Sequence, residues 1–365
     1  MENITLMTYL SNMKDPRIDR KKLHLLEDIV FISIAAVLSG ADSWNEIEEY
    51  GNQKKKWLKS ILDLPNGIPS HDTFNRFYAA LDPEEFERVF SAWVQSLTKK
   101  YPGDVVAIDG KTMRGSRRKG FHSATHIVSA WSNSNRLILG QVKVEEKSNE
   151  ITAIPELLNA LLLEGCIVTI DAMGCQKEIA KSIRSKKAEY ILAVKENQPE
   201  LLDDIRDSFK MLAPEHFTED LDFGHGRIET RRCSVISDLS LLEKPTLWKS
   251  LTTIIRIESE RYIKSTGERQ SETRYYISSL ATSAEHILSA IRSHWAIENM
   301  VHWSLDVSFN EDASRKQAGN AAVNFSVINR LALNILKKDD HKIGVKSKRL
   351  MAGWSNEYIL KVLNF

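Results

Sequence analysis

The sequence predicts an α/β protein: a mixed five-stranded sheet with flanking helices, a β-rich insertion and a helical N-terminal region. Three observations lead there. The first hundred residues carry helical periodicity with marked helix starts. Between 101 and 211, short apolar runs bounded by Gly or charge alternate with helical stretches. From 212 to 280 apolar and polar residues alternate with period two, the signature of antiparallel strands with one solvated face. The expected units are therefore 1–100, a core built from 101–211 and 281–338, an insertion at 212–280, and a basic tail at 339–365.

Composition excludes several classes. With 42% hydrophobic and 27% charged residues among 365, disorder, collagen and coiled coil are ruled out as the main state. Fifty basic against 49 acidic residues leave a net charge of +1, so any contact with nucleic acid must come from local patches. Three cysteines without a CxxC pair argue against a disulfide framework or a cysteine zinc finger and fit a reducing cytoplasm. The N-terminus lacks the basic and apolar regions of a signal peptide. The apolar run Ile29 to Leu38 falls well short of the roughly 20 residues of a membrane span and reads as a core helix. A soluble cytoplasmic protein without membrane contact is expected.

In chain order, Ser43 with Glu46 forms a capping box, and Asp82 with Pro83 and Glu85 opens another helix. Between them Leu64 to Pro69 is a turn, and Ser70 or Asp72 caps a helix reaching about Leu81. Helix, turn and helix match either an ordinary bundle or a helix-turn-helix presenting Asn75 and Arg76. Strands follow at Val105–Ile108, His126–Trp131 and Arg136–Val144. Next come a helix to about Glu164, a strand at Cys166–Ile170, a basic helix at Lys177–Lys187 and a strand at Tyr190–Val194. The first three strands form a meander and the rest are joined by helical crossovers. In the insertion, Arg227–Ile236, Leu251–Ile263 and Thr273–Ser279 read as strands. A helix capped by Thr282 and Glu285 continues past Trp295 toward Leu305, and another spans about Asn320 to Lys337. Lys342, Lys346, Lys348 and Arg349 mark a basic tail with a short terminal helix.

Asp109 ends the first strand and Asp171 directly follows the fourth. With this strand order the two lie side by side at the sheet centre, where like charges need a cation between them, and hard oxygen donors select Mg²⁺ or Mn²⁺. The competing reading makes each a strand-terminal turn former. Glu298 is the third acid: His294, Glu298 and His302 fall within an arc of about 80° on one helix face. A zinc site built from those three is a competitor, without the His-Glu-x-x-His spacing of metalloproteases. Asp306, Glu311 and Asp312 are rival acids expected to be solvated. Trp295 and Trp303 fit a core better than a base-stacking platform, while Trp295 stays with His294 among the candidate DNA contacts. Lys111, Arg114, Arg117, Arg118 and Lys119 follow Asp109, and Lys177 to Lys187 follow Asp171. Such runs are often only solvated faces, but starting beside the acids they suit a phosphate backbone. His225, Arg227 and Arg231 add charge at a glycine-rich turn that serves equally as a DNA clamp or a plain hairpin.

Taken together, Asp109-Gly110-Lys111-Thr112, Asp171 to Gln176, and His294-Trp295 with Ile297-Glu298-Asn299 and His302-Trp303 resemble three signature blocks of the H-repeat-associated transposases. These are DDE transposases of bacterial insertion sequences. Glu146 to Ile151, Val194-Lys195 with Asn197-Gln198, and His225-Gly226-Arg227 match as well, and the resemblance covers nearly the whole chain. It implies an RNase H-like catalytic core with Asp109, Asp171 and Glu298 holding two Mg²⁺ ions, replaceable by Mn²⁺, for DNA cleavage and strand transfer at terminal inverted repeats. It also implies double-stranded DNA partners, the transposon ends and the target, and a homodimer on DNA. Lys111, Arg114 and Lys195 are the expected phosphate contacts near the scissile bond, with Asn197 among the DNA contacts. Hairpin-forming relatives place Tyr, Arg and Lys around the Glu where this chain has Ile291, His294 and Leu305, so a hairpin intermediate is not carried over. A non-catalytic DNA-binding derivative and an RNase H-like nuclease or resolvase are the alternatives. No nucleotide cofactor is expected, since no GxGxxG or GxxxxGK[ST] follows a strand.

Overall fold

The computed structural model describes residues 6–19, 22–117, 124–145, 149–224 and 226–363. Arg118, Lys119, Glu146, Lys147, Ser148 and His225 lie outside the described residues. Six helices come first: α1 (Leu6–Leu10), α2 (Leu26–Leu38), α3 (Trp44–Gln53), α4 (Lys55–Leu58), α5 (His71–Ala80) and α6 (Pro83–Leu97). Ser43 and Glu46 form the expected capping box on α3, Ser70 caps α5, and Asp82 caps α6 with Pro83 in its first turn. Helix α2 is apolar on every side and is buried from Asp28 to Leu38. Phe74, Phe77 and Tyr78 turn α5 inward, leaving Arg76 exposed.

A meander of β1 (Val105–Met113), β2 (Thr125–Ser132) and β3 (Leu137–Val144) follows, then α7 (Glu150–Ala160), β4 (Ile167–Ile170), α8 (Lys177–Ser185) and β5 (Glu189–Val194). Strands β1, β4 and β5 are parallel neighbours, paired Val105↔Ile167 to Ile108↔Ile170 and Ile167↔Glu189 to Ile170↔Leu192. Next come α9 (Pro199–Met211), β6 (His216–Gly224), β7 (Arg227–Ile236), β8 (Thr253–Ile263) and β9 (Glu268–Ser278).

Here the expectation of a five-stranded sheet is corrected. Among the described residues one nine-stranded sheet runs in the order β3-β2-β1-β4-β5-β9-β8-β7-β6. The strands of the insertion join it because β9 pairs antiparallel with β5, Ile191↔Ser278 to Val194↔Tyr275. Strand β6 and helix α9 are additions to the sequence reading. β6 is the outer strand, almost wholly exposed, and carries Glu219, Asp220 and Asp222, charges that guard an open edge and hide an alternating pattern. α9 starts with Pro199 in its first turn and buries Leu201, Leu202, Ile205 and Phe209.

Alternate residues of the central strands feed different layers. Val106, Ile108, Val168, Ile170 and Leu192 pack with Ile154 of α7, Ile179 of α8 and Ile205 of α9. Ala107 packs with the helical layer on the opposite face. That layer includes α10 (Ala284–Ile297), a five-residue π-helical turn at Glu298–His302, α11 (Trp303–Phe309) and α12 (Ala321–Lys338). The cap of α10 is Ser283, which accepts from the His286 amide, not the expected Thr282. No helix among the described residues is long and apolar enough to cross a membrane.

Charged residues are buried in two places, and for Glu311 this corrects the expectation of a solvated acid. The C-terminal stretch forms α13 (Val345–Trp354) and α14 (Asn356–Leu363), and Lys348 and Arg349 are buried. Arg349 donates to the carbonyls of Val37, Ala41 and Ser308 and to the Asp42 carboxylate, while Lys348 donates to the Leu336 and Asp339 carbonyls. Helix-end carbonyls supply acceptors that a tail in water would not need. Glu311 is likewise fully buried, and its Oε1 accepts from Arg330 Nη1 at 2.8 Å. Arg330 reaches on to Ser129 Oγ at 3.2 Å, tying α12 to β2. Glu311→Ala strands the Arg330 charge in the core. An expected loss of about 3–5 kcal/mol should appear in denaturant unfolding, and a loss below about 1 kcal/mol would contradict the pairing.

Candidate active site

The parallel ladder between β1 and β4 stops at Ile108↔Ile170. β1 continues to Met113 against β2, so Asp109 lies within the strand, at the point where its parallel neighbour leaves. Asp171, next after β4, turns the chain into a 3₁₀ turn at Ala172–Gly174. Its Oδ1 accepts from the amides of Met173 at 3.0 Å and Gly174 at 3.4 Å, and neither bond uses Oδ2. Asp109 shares its side of β1 with Ala107, and Asp171 continues the side of Thr169, whose Oγ1 meets His294 Nδ1 of α10 at 3.0 Å.

Glu298 opens the π-helical turn. Its Oε2 is 2.9 Å from His302 Nδ1, which is 3.4 Å from Asp109 Oδ2. One ligand atom from each of Asp109, Glu298 and His302 lies within 4.8 Å of the others. A cleft of about 300 Å³ is lined by Asp109, Asp171 and Glu298 together with Lys195, Arg274, Tyr276, His294 and Trp295. The three acids named by the sequence thus face one cavity. The zinc alternative named His294, Glu298 and His302; in the fold His294 is held by Thr169, and His302 stands with Glu298 and Asp109.

Burial pushes the Asp109 carboxyl up to about 7, helped by the charges of Asp171, Glu150 and Glu298. The Asp171 carboxyl is also raised, first by burial and then by Glu150. Burial lowers His294 to about 4, leaving it neutral, and lowers His302 against the opposing pull of Glu298. The cleft therefore holds crowded carboxylates beside neutral imidazoles, an arrangement that a divalent cation relieves.

Positive groups fall into two sets. Lys195 is exposed at the cleft, and Arg274 lines it with its guanidinium 5.2 Å from the Trp295 ring centroid. Lys111 is buried instead, its Nζ 2.7 Å from Asp306 and 3.4 Å from Asp312. Arg114 is exposed and 3.5 Å from Asp312, and Arg117 is exposed. Asn197 donates to the Ala172 carbonyl at 2.6 Å, bracing the turn after Asp171. A neighbouring groove of about 720 Å³ is lined by Arg227, Arg231, Arg261, Arg274, Arg292 and Trp295, with Glu229 and Glu272 among them. Arg231 is 2.6 Å from Glu229, and Arg227 is 3.7 Å from it. Trp295 is 49% exposed and Trp303 62%, so neither is the core residue the sequence suggested. Sequence reasoning missed Arg274 and Tyr276, which alternate along β9 like any half-exposed strand. It also missed Glu150, which sits against Gly110: a Cβ there would lie 2.2 Å from Glu150 Oε1.

Known proteins resemble the chain throughout. Residues 7–94 match the profile described as DDE_Tnp_1-associated, and residues 100–335 match the profile "Transposase DDE domain". YncI of Escherichia coli O157:H7, whose name marks it as a transposase, is 44% identical across 98% of this chain and 94% of its own length. The H repeat-associated YhhI of Escherichia coli K12, also a transposase by name, is 41% identical across 100% of this chain and 98% of its own. "Inactive transposase YbfQ" of the same strain is 43% identical over 76 residues, 21% of this chain and 90% of its own.

The electrostatics give a testable pH dependence. The folded Asp109 keeps its proton up to about 7. An unfolded aspartate releases its proton near about 3.9. Folding therefore takes up a proton in that window, and stability declines as pH rises through it. Asp109→Asn removes this contribution. In EDTA the variant should melt above the parent at about pH 7.5 and close to it at about pH 4. A variant that melts below the parent at the higher pH would contradict the assignment.

Proposed function

The chain belongs to the DDE transposase family, and from that premise we propose that Asp109, Asp171 and Glu298 hold the divalent cations of its phosphoryl-transfer centre. One observation carries the reading: acids from β1, from the end of β4 and from the C-terminal end of α10 line a single cleft. The chain is a DNA transposase, and the chemistry of that role is DNA cleavage and strand transfer. The order β3-β2-β1-β4-β5 of the first five strands supports an RNase H-like core, with β6 to β9 extending it. The domain limits inferred from the sequence, 1–100, 101–211 with 281–338, 212–280 and 339–365, are part of the same proposal.

The residues present fit a hard cation. Three carboxylates crowd one cleft, Asp109 is driven toward protonation without a counter-charge, and Asp171 Oδ2 makes none of the turn's hydrogen bonds. Mg²⁺, two per site with Mn²⁺ as substitute, is the proposed occupant. Held by Asp109, Asp171 and Glu298, such ions would supply activation of the attacking hydroxyl and stabilisation of the leaving oxygen. The protein does the positioning. Asn197 holds the turn that carries Asp171, and His302 bridges Glu298 to Asp109. Lys195 and Arg274 offer donors to the scissile phosphodiester, and half-exposed Trp295 offers a face to an adjacent base. Arg227 and Arg231, together with Arg114 and Arg117 on the other flank, are proposed contacts along double-stranded DNA. Lys111 acts on this reading by neutralising Asp306 and Asp312 beside the site. A homodimer on DNA and a cytoplasmic location complete the proposal.

Asp109→Asn and Glu298→Gln should each lower metal-dependent nicking of the element's own ends by about 10³-fold or more while leaving DNA binding within a few-fold. Full nicking activity in either variant would refute the assignment. Strand transfer of a pre-nicked end into target DNA separates a transposase centre from a resolvase, which only cuts. Lys195→Ala and Arg274→Ala should weaken binding to all sequences alike, each reducing the salt slope by about 1. An unchanged slope would remove that residue from the phosphate contacts.

A further inference from the structure

His302 makes polar contacts with two members of the proposed centre, Glu298 and Asp109, and it is 5% exposed. Among the described residues its Nδ1 meets only Glu298 Oε2, at 2.9 Å, and Asp109 Oδ2, at 3.4 Å. Its Nε2 is buried without a partner, so no hydrogen bond pulls the ring elsewhere. The π-helical turn makes this possible, because it starts at Glu298 and ends at His302, and both side chains reach toward β1.

The distances match a ligand set. Donors held about 2.1 Å from one ion lie roughly 3 Å apart when adjacent and about 4.2 Å apart when opposite. Both contacts of Nδ1 fall near the adjacent spacing, and Asp109, Glu298 and His302 each bring one ligand atom within 4.8 Å of the others. A side chain that served only to orient Glu298 would need no second carboxylate at this distance.

We propose that His302 Nδ1 is a nitrogen donor to the cation shared by Asp109 and Glu298. The inference rests on the reading that those acids hold the metal. It deepens that reading by making the donor set mixed, with one imidazole among carboxylates. Imidazole suits first-row transition ions better than Mg²⁺, so the site favours Mn²⁺ over Mg²⁺ more strongly than carboxylates alone would. Binding places the ring proton on Nε2 and leaves the Nδ1 lone pair for the ion.

Pulsed electron paramagnetic resonance on the full chain with Mn²⁺ alone tests this without any substitution. Directly bound imidazole is expected to give ¹⁴N modulation of the Mn²⁺ echo. In His302→Gln the modulation should vanish, and Mn²⁺ affinity should fall by about 10-fold or more, further than Mg²⁺ affinity. Mn²⁺ that depends on Asp109 yet shows no ¹⁴N modulation overturns the role of His302 and leaves the acidic triad standing. Modulation that persists in folded His302→Gln overturns it in favour of His294. Mn²⁺ binding that Asp109→Asn does not weaken overturns the metal centre itself. Should His302→Gln fail to fold, the spectrum of the unmodified chain decides.

Discussion

Everything at the site depends on where the parallel ladder between β1 and β4 ends. Up to Ile108↔Ile170 the two strands satisfy each other's backbone groups, and one residue later they part. Asp109 stays in register with β2, while Asp171 takes up the amides of its own turn. Two carboxylates are thereby set on the α10 side of the sheet at the mouth of one cleft, too deep for water to screen them fully. Glu298 arrives from the helix that covers that face. The raised carboxyls of Asp109 and Asp171 are the direct electrostatic consequence.

The distribution of cations follows from the same scarcity of water. Lys111, Arg330, Lys348 and Arg349 are buried, and each is matched by carboxylates or helix-end carbonyls nearby. A buried charge persists only with such partners. Those four consequently serve the fold. The cations at the cleft and its neighbouring groove stay accessible: Lys195 is exposed, Arg274 lies against a half-exposed Trp295 while pairing with Glu272, and Arg231 pairs with Glu229. With a net charge of +1, a local set of this kind is what an anionic backbone can meet.

The extension of the sheet by β9, β8, β7 and β6 shapes the site more than its distance along the chain suggests. Pairing of β9 with β5 brings Arg274 and Tyr276 to the cleft wall and lays the arginine groove alongside. Had these strands formed a sheet of their own, the cleft would lack that wall. A sheet edge at β5 would also have needed other cover.

Local chemistry made much of this protein legible. Capping at Ser43, Ser70 and Asp82, the short strands around 105, 167 and 190, and the helical arc carrying Glu298 and His302 all reflect interactions within a few residues. Asp109 and Asp171 could be singled out because each directly follows a short apolar run, although β1 continues past Asp109 to Met113, and Glu298 because it shares a helix face with His302. What the chain did not disclose are partnerships across long separations: β9 against β5, Arg330 against Glu311, Arg349 against Asp42, and Lys111 against Asp306. Periodicity reports that a residue has a buried face but not what that face meets, and a charged residue looks solvated until its partner is brought to it. Most of the secondary structure, though not β6, α9 or the π-helical turn, and three acids that come to line one cleft were thus legible in the sequence alone. Which cations they keep company with, and that His302 stands between two of them, were decided only when the chain closed on itself.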